Sequence, residues 1–145
     1  MRSFAISFFL LLSLLLVTGC VSTTSQTVSG SVADVKPIIN GVMVLSPGEA
    51  KHYTFDVPAG SNVARILGTF TSTGEIEVLI LSAHDFDTWK KSNEAPAHYE
   101  IRSSEGNLDV ELPPRATYYL VYSNRFLEGP TKKVTSKTDL FYSRV

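Results

Sequence analysis

Apolar and polar positions alternate with a period of two along much of the chain. In residues 51–57, Tyr53, Phe55 and Val57 share one side and His52, Thr54 and Asp56 the other. Successive side chains of an extended strand point to opposite faces, so this is the pattern of a half-buried strand. Residues 42–45, 63–71 and 76–82 read the same way, with Ile76, Val78 and Ile80 opposite Glu75, Glu77 and Leu79. Residues 99–103 and 108–112 form a pair around Gly106, with Leu108, Val110 and Leu112 facing away from Asp109 and Glu111. Residues 117–123 are the most apolar run, and residues 133–142 the least regular, with Val134, Lys137 or Thr138, and Leu140 at uneven spacing. Turn signals separate the runs at Asn40-Gly41, Ser46-Pro47-Gly48, Pro58-Ala59-Gly60, Thr73-Gly74, Glu105-Gly106-Asn107, Pro113-Pro114 and Glu128-Gly129-Pro130. The pattern predicts about eight short strands at roughly 8–12-residue intervals, the signature of an antiparallel sandwich or barrel; the expected fold is all-β, an antiparallel two-sheet β-sandwich of the jelly-roll or a similar kind. One helical turn or two is expected over residues 83–91, with Asp85 as its cap and Phe86 and Trp89 on one face.

The N-terminal pattern is different. After Met1-Arg2 comes a nearly unbroken apolar run from Phe4 to Val17, roughly fourteen residues. That is the length of a signal-peptide core and short of the about twenty residues a spanning helix needs. The run ends at Val17-Thr18-Gly19-Cys20, which contains the only cysteine. These four residues resemble, position by position, the lipobox of bacterial lipoproteins. The resemblance implies that the Cys20 thiol receives a diacylglyceryl group and that cleavage falls between Gly19 and Cys20. It also accounts for an unpaired cysteine in an exported chain. Residues 21–35 are rich in Ser, Thr and Gly and show no sustained apolar period, as a flexible tether would. The expected organisation is a signal peptide at 1–19, a lipidated cysteine and tether at 20–36, and a β-sandwich domain at 37–145.

Charge narrows the function. The chain has 13 Lys and Arg against 14 Asp and Glu. Removal of the signal, with Arg2 as its only charge, leaves a slightly acidic domain without the basic surface a nucleic-acid partner requires. Acidic residues concentrate between Glu75 and Glu111, and basic ones between Arg125 and Arg144. Solvated strand faces explain the acidic pairs Glu75/Glu77 and Asp109/Glu111, whose spacing puts each pair on one side of its strand. Arg125 with Lys132 and Lys133 offers a contact for anionic headgroups, although Asn124-Arg125 is most simply a turn.

No stretch carries a catalytic signature. There is no Gly-x-Ser-x-Gly elbow and no glycine-rich phosphate loop. The best local set of metal-ligating types is His84-Asp85-x-Asp87, which His52 or His98 could join. Capping by Asp85 and solvation of Asp87 explain that set without a metal, so no metal and no cofactor are assigned. Tyr118 and Tyr122 share a strand face and are assigned to the core. Tyr119, Phe126, Phe141 and Tyr142 join them as candidates for an aromatic platform. Trp89 is read first as a plug at the end of the sandwich; with His84, Asp85 and Asp87 it is also the candidate ligand or partner surface.

The order of features from Ser46 to Tyr142 resembles the GOLD domain, a β-sandwich of secretory-pathway and lipid-transfer proteins. It is also similar to small bacterial sandwiches attached to secreted peptidases. The features are Ser46-Pro47-Gly48, Tyr53-x-Phe55-x-Val57, Gly68-x-Phe70, Ile76-Glu77-Val78-Leu79-Ile80, Trp89-Lys90, the run from Tyr118 to Asn124, and Lys132-Lys133-Val134. The resemblance implies a non-catalytic interaction module. The expected function is a lipid-anchored binding module of the bacterial cell envelope, attached to the membrane through Cys20 and recruiting a protein or small ligand. Val21, where an Asp would favour inner-membrane retention, points to the outer membrane of a diderm cell, or to the outer face of a monoderm one. The alternatives are a structural or assembly accessory of an envelope complex, and a metal-dependent enzyme using His84, Asp85 and Asp87.

Overall fold

The computed structural model describes residues 32–125 and 128–144. The signal segment, Val17-Thr18-Gly19-Cys20, Val21 and Phe126 lie outside the described residues. Six strands and one helix follow in order: β1 (Val32–Leu45), β2 (Ala50–Val57), β3 (Ser61–Ser82), α1 (Ala83–Ser92), β4 (Tyr99–Glu111), β5 (Ala116–Ser123) and β6 (Lys132–Arg144). All pairings are antiparallel, in the order β1-β6-β3-β5-β2, with β4 also on β3.

The strands are fewer and longer than the roughly eight short ones expected. The reason lies in the glycines. Asn40-Gly41, Thr73-Gly74 and Gly106 do not turn the chain; they lie inside β1, β3 and β4. The Pro-containing signals at 46–48, 58–60, 113–114 and 128–130 all fall between strands. Proline cannot donate to a ladder, whereas glycine only weakens one. At Thr73-Gly74 the pairing of β3 with β4 shifts register between Thr71 and Ile76, an irregularity that bends the strand instead of ending it.

This bend organises the sheet. On one edge, β3 holds β4 from Arg65 to Ile80. On the other edge, residues 61–72 of β3 hold β6, and residues 77–82 hold β5. The sheet therefore curls into an antiparallel half-barrel, with β1–β6 on one limb and β5–β2 on the other. Its concave side carries one core that includes Leu45, Phe55, Ile66, Phe70, Ile80 and Leu120. Tyr118 and Tyr122 belong to this core, as their shared strand face required.

Two local expectations change. β1 begins at Val32, so residues 32–36, read as tether, pair with β6 from Val32↔Arg144 to Lys36↔Leu140. Backbone ladder bonds need no apolar pattern, and Val35 and Lys36 remain exposed. Pro37 sits in β1 beside a register shift between Pro37 and Ile39, as a proline in an edge strand can. β6 is more regular than its apolar residues suggested. Lys132, Val134, Ser136, Thr138 and Leu140 are all buried, in strict alternation. Its inward polar groups are paired: Ser136 Oγ shares a 2.6 Å hydrogen bond with the Tyr122 hydroxyl and donates to the Thr69 carbonyl at 3.1 Å.

Candidate functional site

Beyond its bend β3 is buried on both faces. Ile76, Val78 and Ile80 enter the main core, while Glu77, Leu79 and Leu81 are buried on the opposite side. The cover there is α1. The helix starts directly after β3 because Ser82 caps it, accepting from the Asp85 N–H at 3.2 Å and donating to Asp85 Oδ2 at 2.6 Å. Asp85 is therefore the cap's partner, three residues into the box, and not the cap expected from sequence. Asn93 ends the helix in the left-handed region at φ 57°, its N–H on the Trp89 carbonyl at 2.7 Å. Phe86 and Trp89 face the sheet. Phe86 stacks on Tyr119 of β5 at 4.0 Å, and Trp89 packs with Leu79, Leu81 and Val121. Each aromatic buried this way stabilises by roughly 1.5–3 kcal/mol, which anchors a helix of only ten residues.

Glu77 lies beside this helix and is 1% exposed. A buried carboxylate is costly unless paired. Its Oε1 accepts from Arg102 Nε at 3.2 Å and Nη2 at 3.0 Å, and from Arg125 Nη1 at 2.8 Å. Arg102 comes from β4, across the ladder at Glu77↔Arg102, and Arg125 from the chain leaving β5. Both guanidiniums thus converge on one oxygen. The other, Oε2, has no hydrogen-bond partner among the described residues, and neither does the buried Nε1 of Trp89. Glu77 and Trp89 line the same cavity, of about 230 Å³, with Leu79 and Ala95 as its apolar lining. Asn93, Glu94, Glu100 and the two arginines complete it. Buried polar groups are ordinarily paired. Here both residues stand in the wall of one cavity with these two atoms buried beneath its surface, and the guanidiniums of Arg102 and Arg125, 50% and 25% exposed, are among the polar groups a small molecule would meet.

Of the four residues proposed from sequence, Trp89 belongs to this cavity and the other three do not. His84 is exposed. Asp85 is bonded to Ser82 and lines a separate space of about 140 Å³ with Pro96, Ala97 and His98. Asp87 is exposed and pairs with Lys90 at 2.8 Å; that hydrogen bond, then the lysine's charge, holds its carboxyl below the ordinary value. His52 packs against Phe86 at 4.8 Å, and His98 against Tyr118 at 5.3 Å. Among the described residues no three His, Cys, Asp or Glu side chains gather as a metal would need.

The remaining site residues escaped the sequence. Glu75, Asp109 and Glu111 are exposed, as the solvated-face reading requires, but Glu77 is not. A signal did exist: Glu77 interrupts the run Ile76-Val78-Leu79-Ile80-Leu81, and a run apolar on both faces marks a strand covered on both. Arg125, considered for headgroup contact, is committed to Glu77.

No family model and no curated protein matches the chain. Among solved structures, a family two carbohydrate esterase from Cellvibrio japonicus superposes on 79% of this chain with a TM-score of 0.34 and 14% identity. The chain spans about a third of that protein's length, 34%. A superposition that loose carries no argument about fold or activity.

Proposed function

We propose that this chain is an exported lipoprotein, anchored through Cys20, whose β domain is a non-catalytic binding module with its ligand site in the cavity between α1 and β3. One observation carries the binding reading: a carboxylate 1% exposed gathers two guanidiniums, Arg102 and Arg125, that stay partly exposed in the wall of one cavity. The anchor rests on Val17-Thr18-Gly19-Cys20 and the apolar run before it. We read the curled sheet as a GOLD-like sandwich whose limbs share β3. The bend at Thr71/Ile76 and the single core between the limbs support that reading. From Cys20 to Val32 the chain can reach at most roughly 40 Å, which keeps the cavity within reach of the membrane surface and raises its local concentration towards anything held there.

Thermal unfolding of the full-length chain tests the site. The additives are a panel of small solutes covering sugars, amino acids, blocked dipeptides and phosphate. At least one class should raise the midpoint of the native chain and leave that of Glu77→Gln unchanged. A panel without effect on the native chain would overturn the site. Fractionation tests the anchor: Cys20→Ser should move the protein from the membrane pellet to the soluble fraction, and continued pelleting would refute lipidation at Cys20.

A further inference from the structure

We infer that the outer face of β1 and β6 is the surface on which the domain rests against a lipid bilayer, its valines towards the acyl region and its lysines towards anionic headgroups. The inference rests on the anchored reading above and adds which way the anchored domain is turned. Three observations lead to it.

The first is where the exposed apolar side chains lie. In β6 the odd-numbered residues from Lys133 to Ser143 alternate with the buried set, so they point away from the core. Their ladder partners share that direction: Val35 opposite Phe141, Val42 opposite Thr135, Val44 opposite Lys133, and Val63 of β3 opposite Ser143. These valines are 55%, 57%, 50% and 49% exposed, and they are the large hydrophobic side chains left exposed among the described residues. Phe141, beside Val35, is partly exposed. A single exposed valine is ordinary, but a set gathered on one sheet face marks an interaction surface. The other limb has its outer apolar residues, Leu79, Leu81 and Val121, packed with Phe86 and Trp89 of α1.

The second is what stands nearest to this face. The chain from Cys20 enters the domain at Val32, the first residue of β1, after at most roughly 40 Å. The strand that carries three of the four valines is therefore the one joined to the anchor. A bilayer held that close has a high local concentration, so a contact too weak to recruit a free protein is enough to seat it.

The third is charge. On β6 the same face carries Lys133 and Lys137 against Asp139. The acidic residues Glu105, Asp109 and Glu111 stand on β4, beyond β3, where Arg65 donates to both oxygens of Asp109. Valines with lysines among them, and acids kept to the far edge, match an anionic lipid surface. A lysine can lay its apolar stem along such a face and keep its charge at the headgroups. The core separates the two limbs, so this seating turns α1 and the Glu77 cavity towards the solvent.

Fluorescence of the full-length, lipidated chain in vesicles of phosphatidylethanolamine and phosphatidylglycerol tests the inference. Lipid occupies the Cys20 thiol, so a new cysteine is the one site for a thiol-reactive nitrobenzoxadiazole label. Val42→Cys puts the label on the proposed face, and Thr88→Cys puts it on the exposed side of α1. The label at Val42→Cys should emit further to the blue and lose emission when the vesicles contain a doxyl-bearing lipid; the label at Thr88→Cys should do neither. Lys133→Glu combined with Lys137→Glu should weaken the quenching, as should vesicles of phosphatidylcholine alone. Quenching unchanged by both would refute the part given to the lysines. Equal responses at the two positions, or none at either, in a chain that floats with the vesicles would overturn the docking face and leave the anchor standing. A native chain that stays behind when the vesicles float, and whose Cys20 takes the label, would overturn the anchor and the inference together. A blue shift at Val42→Cys without quenching by the lipid would assign the face to a second copy of the chain and overturn the bilayer as its occupant.

Discussion

Gly68 pairs with Thr138 in the β3–β6 ladder. A Cβ there would meet Thr138 Oγ1, the Lys137 carbonyl oxygen at 2.7 Å and Thr138 Cα at 2.8 Å. Two of these are backbone atoms fixed by the ladder, so they cannot swing aside. Gly68→Ala should therefore lower stability by about 2–3 kcal/mol, the cost of overpacking a closed site. Urea unfolding should show the midpoint fall with the slope preserved; an unchanged midpoint would mean that β6 separates from β3 at little cost. Glu77 teaches the complementary lesson about single residues. Its strand face was legible from alternation, since Glu75, Glu77 and Leu79 do share a side. What alternation could not supply was the depth of water on that side. Glu75 is exposed and Glu77 buried, two positions apart. The difference is made by groups far along the chain, Arg125 at a separation of 48 residues and Arg102 at 25. No local window contains them.

At the scale of elements, the helix over 83–92 was legible and its function was not. Its i, i+3 aromatic pair, its acidic first turn at Asp85 and its basic last turn at Lys90 and Lys91 are all local signals. That it would lie over β3 and β5 depended on the outer faces of both strands being apolar at Leu79, Leu81 and Val121. The glycine signals show a similar limit. Gly106 pairs opposite Phe70 in the β3–β4 ladder, and the Phe70 ring fills the space beside it; a tertiary contact kept extended what local chemistry marked as a turn. Ser82 joins these levels, because it ends β3, caps α1 and so fixes where Trp89 stands. Ser82→Ala removes the acceptor of the Asp85 N–H and the donor to Asp85 Oδ2. The expected loss is about 1 kcal/mol of stability. Since the helix supplies Trp89 and Asn93 to the cavity, hydrogen exchange in α1 should quicken more than in β3. Uniform exchange across the domain would mean that the cap does not hold the helix independently of the sheet.

For the whole molecule, the strand composition and antiparallel class followed from alternation, while the half-barrel curl depended on one bend in β3 that read locally as a turn. The two limbs meet around Tyr122. It is fully buried and contacts Tyr53 edge-on at 6.2 Å and Phe70 at 6.4 Å, with its hydroxyl on Ser136 of β6. Tyr122 thus ties β2, β3, β5 and β6 in one place, and its protonation should report on the fold as a unit. Burial raises its pKa, with the hydrogen bond to Ser136 opposing in part. The unfolded chain ionises this phenol near its ordinary value of about 10. Above that pH the unfolded state binds fewer protons than the folded one, so stability falls as pH rises. The contribution is intact below pH about 10 and declines between there and the raised folded value, with a limiting slope of about 1.4 kcal/mol per pH unit for one group. Tyr99 and Tyr118 are shifted in the same direction by burial and add to the decline. Urea unfolding at pH 8, 10 and 11 isolates Tyr122 when the native chain is compared with Tyr122→Phe. The variant should be less stable at pH 8 by about 1 kcal/mol, having lost a buried hydrogen bond, and the gap should narrow or reverse by pH 11. Parallel curves across this range would show that Tyr122 reaches water readily and that the two limbs open around it without global unfolding.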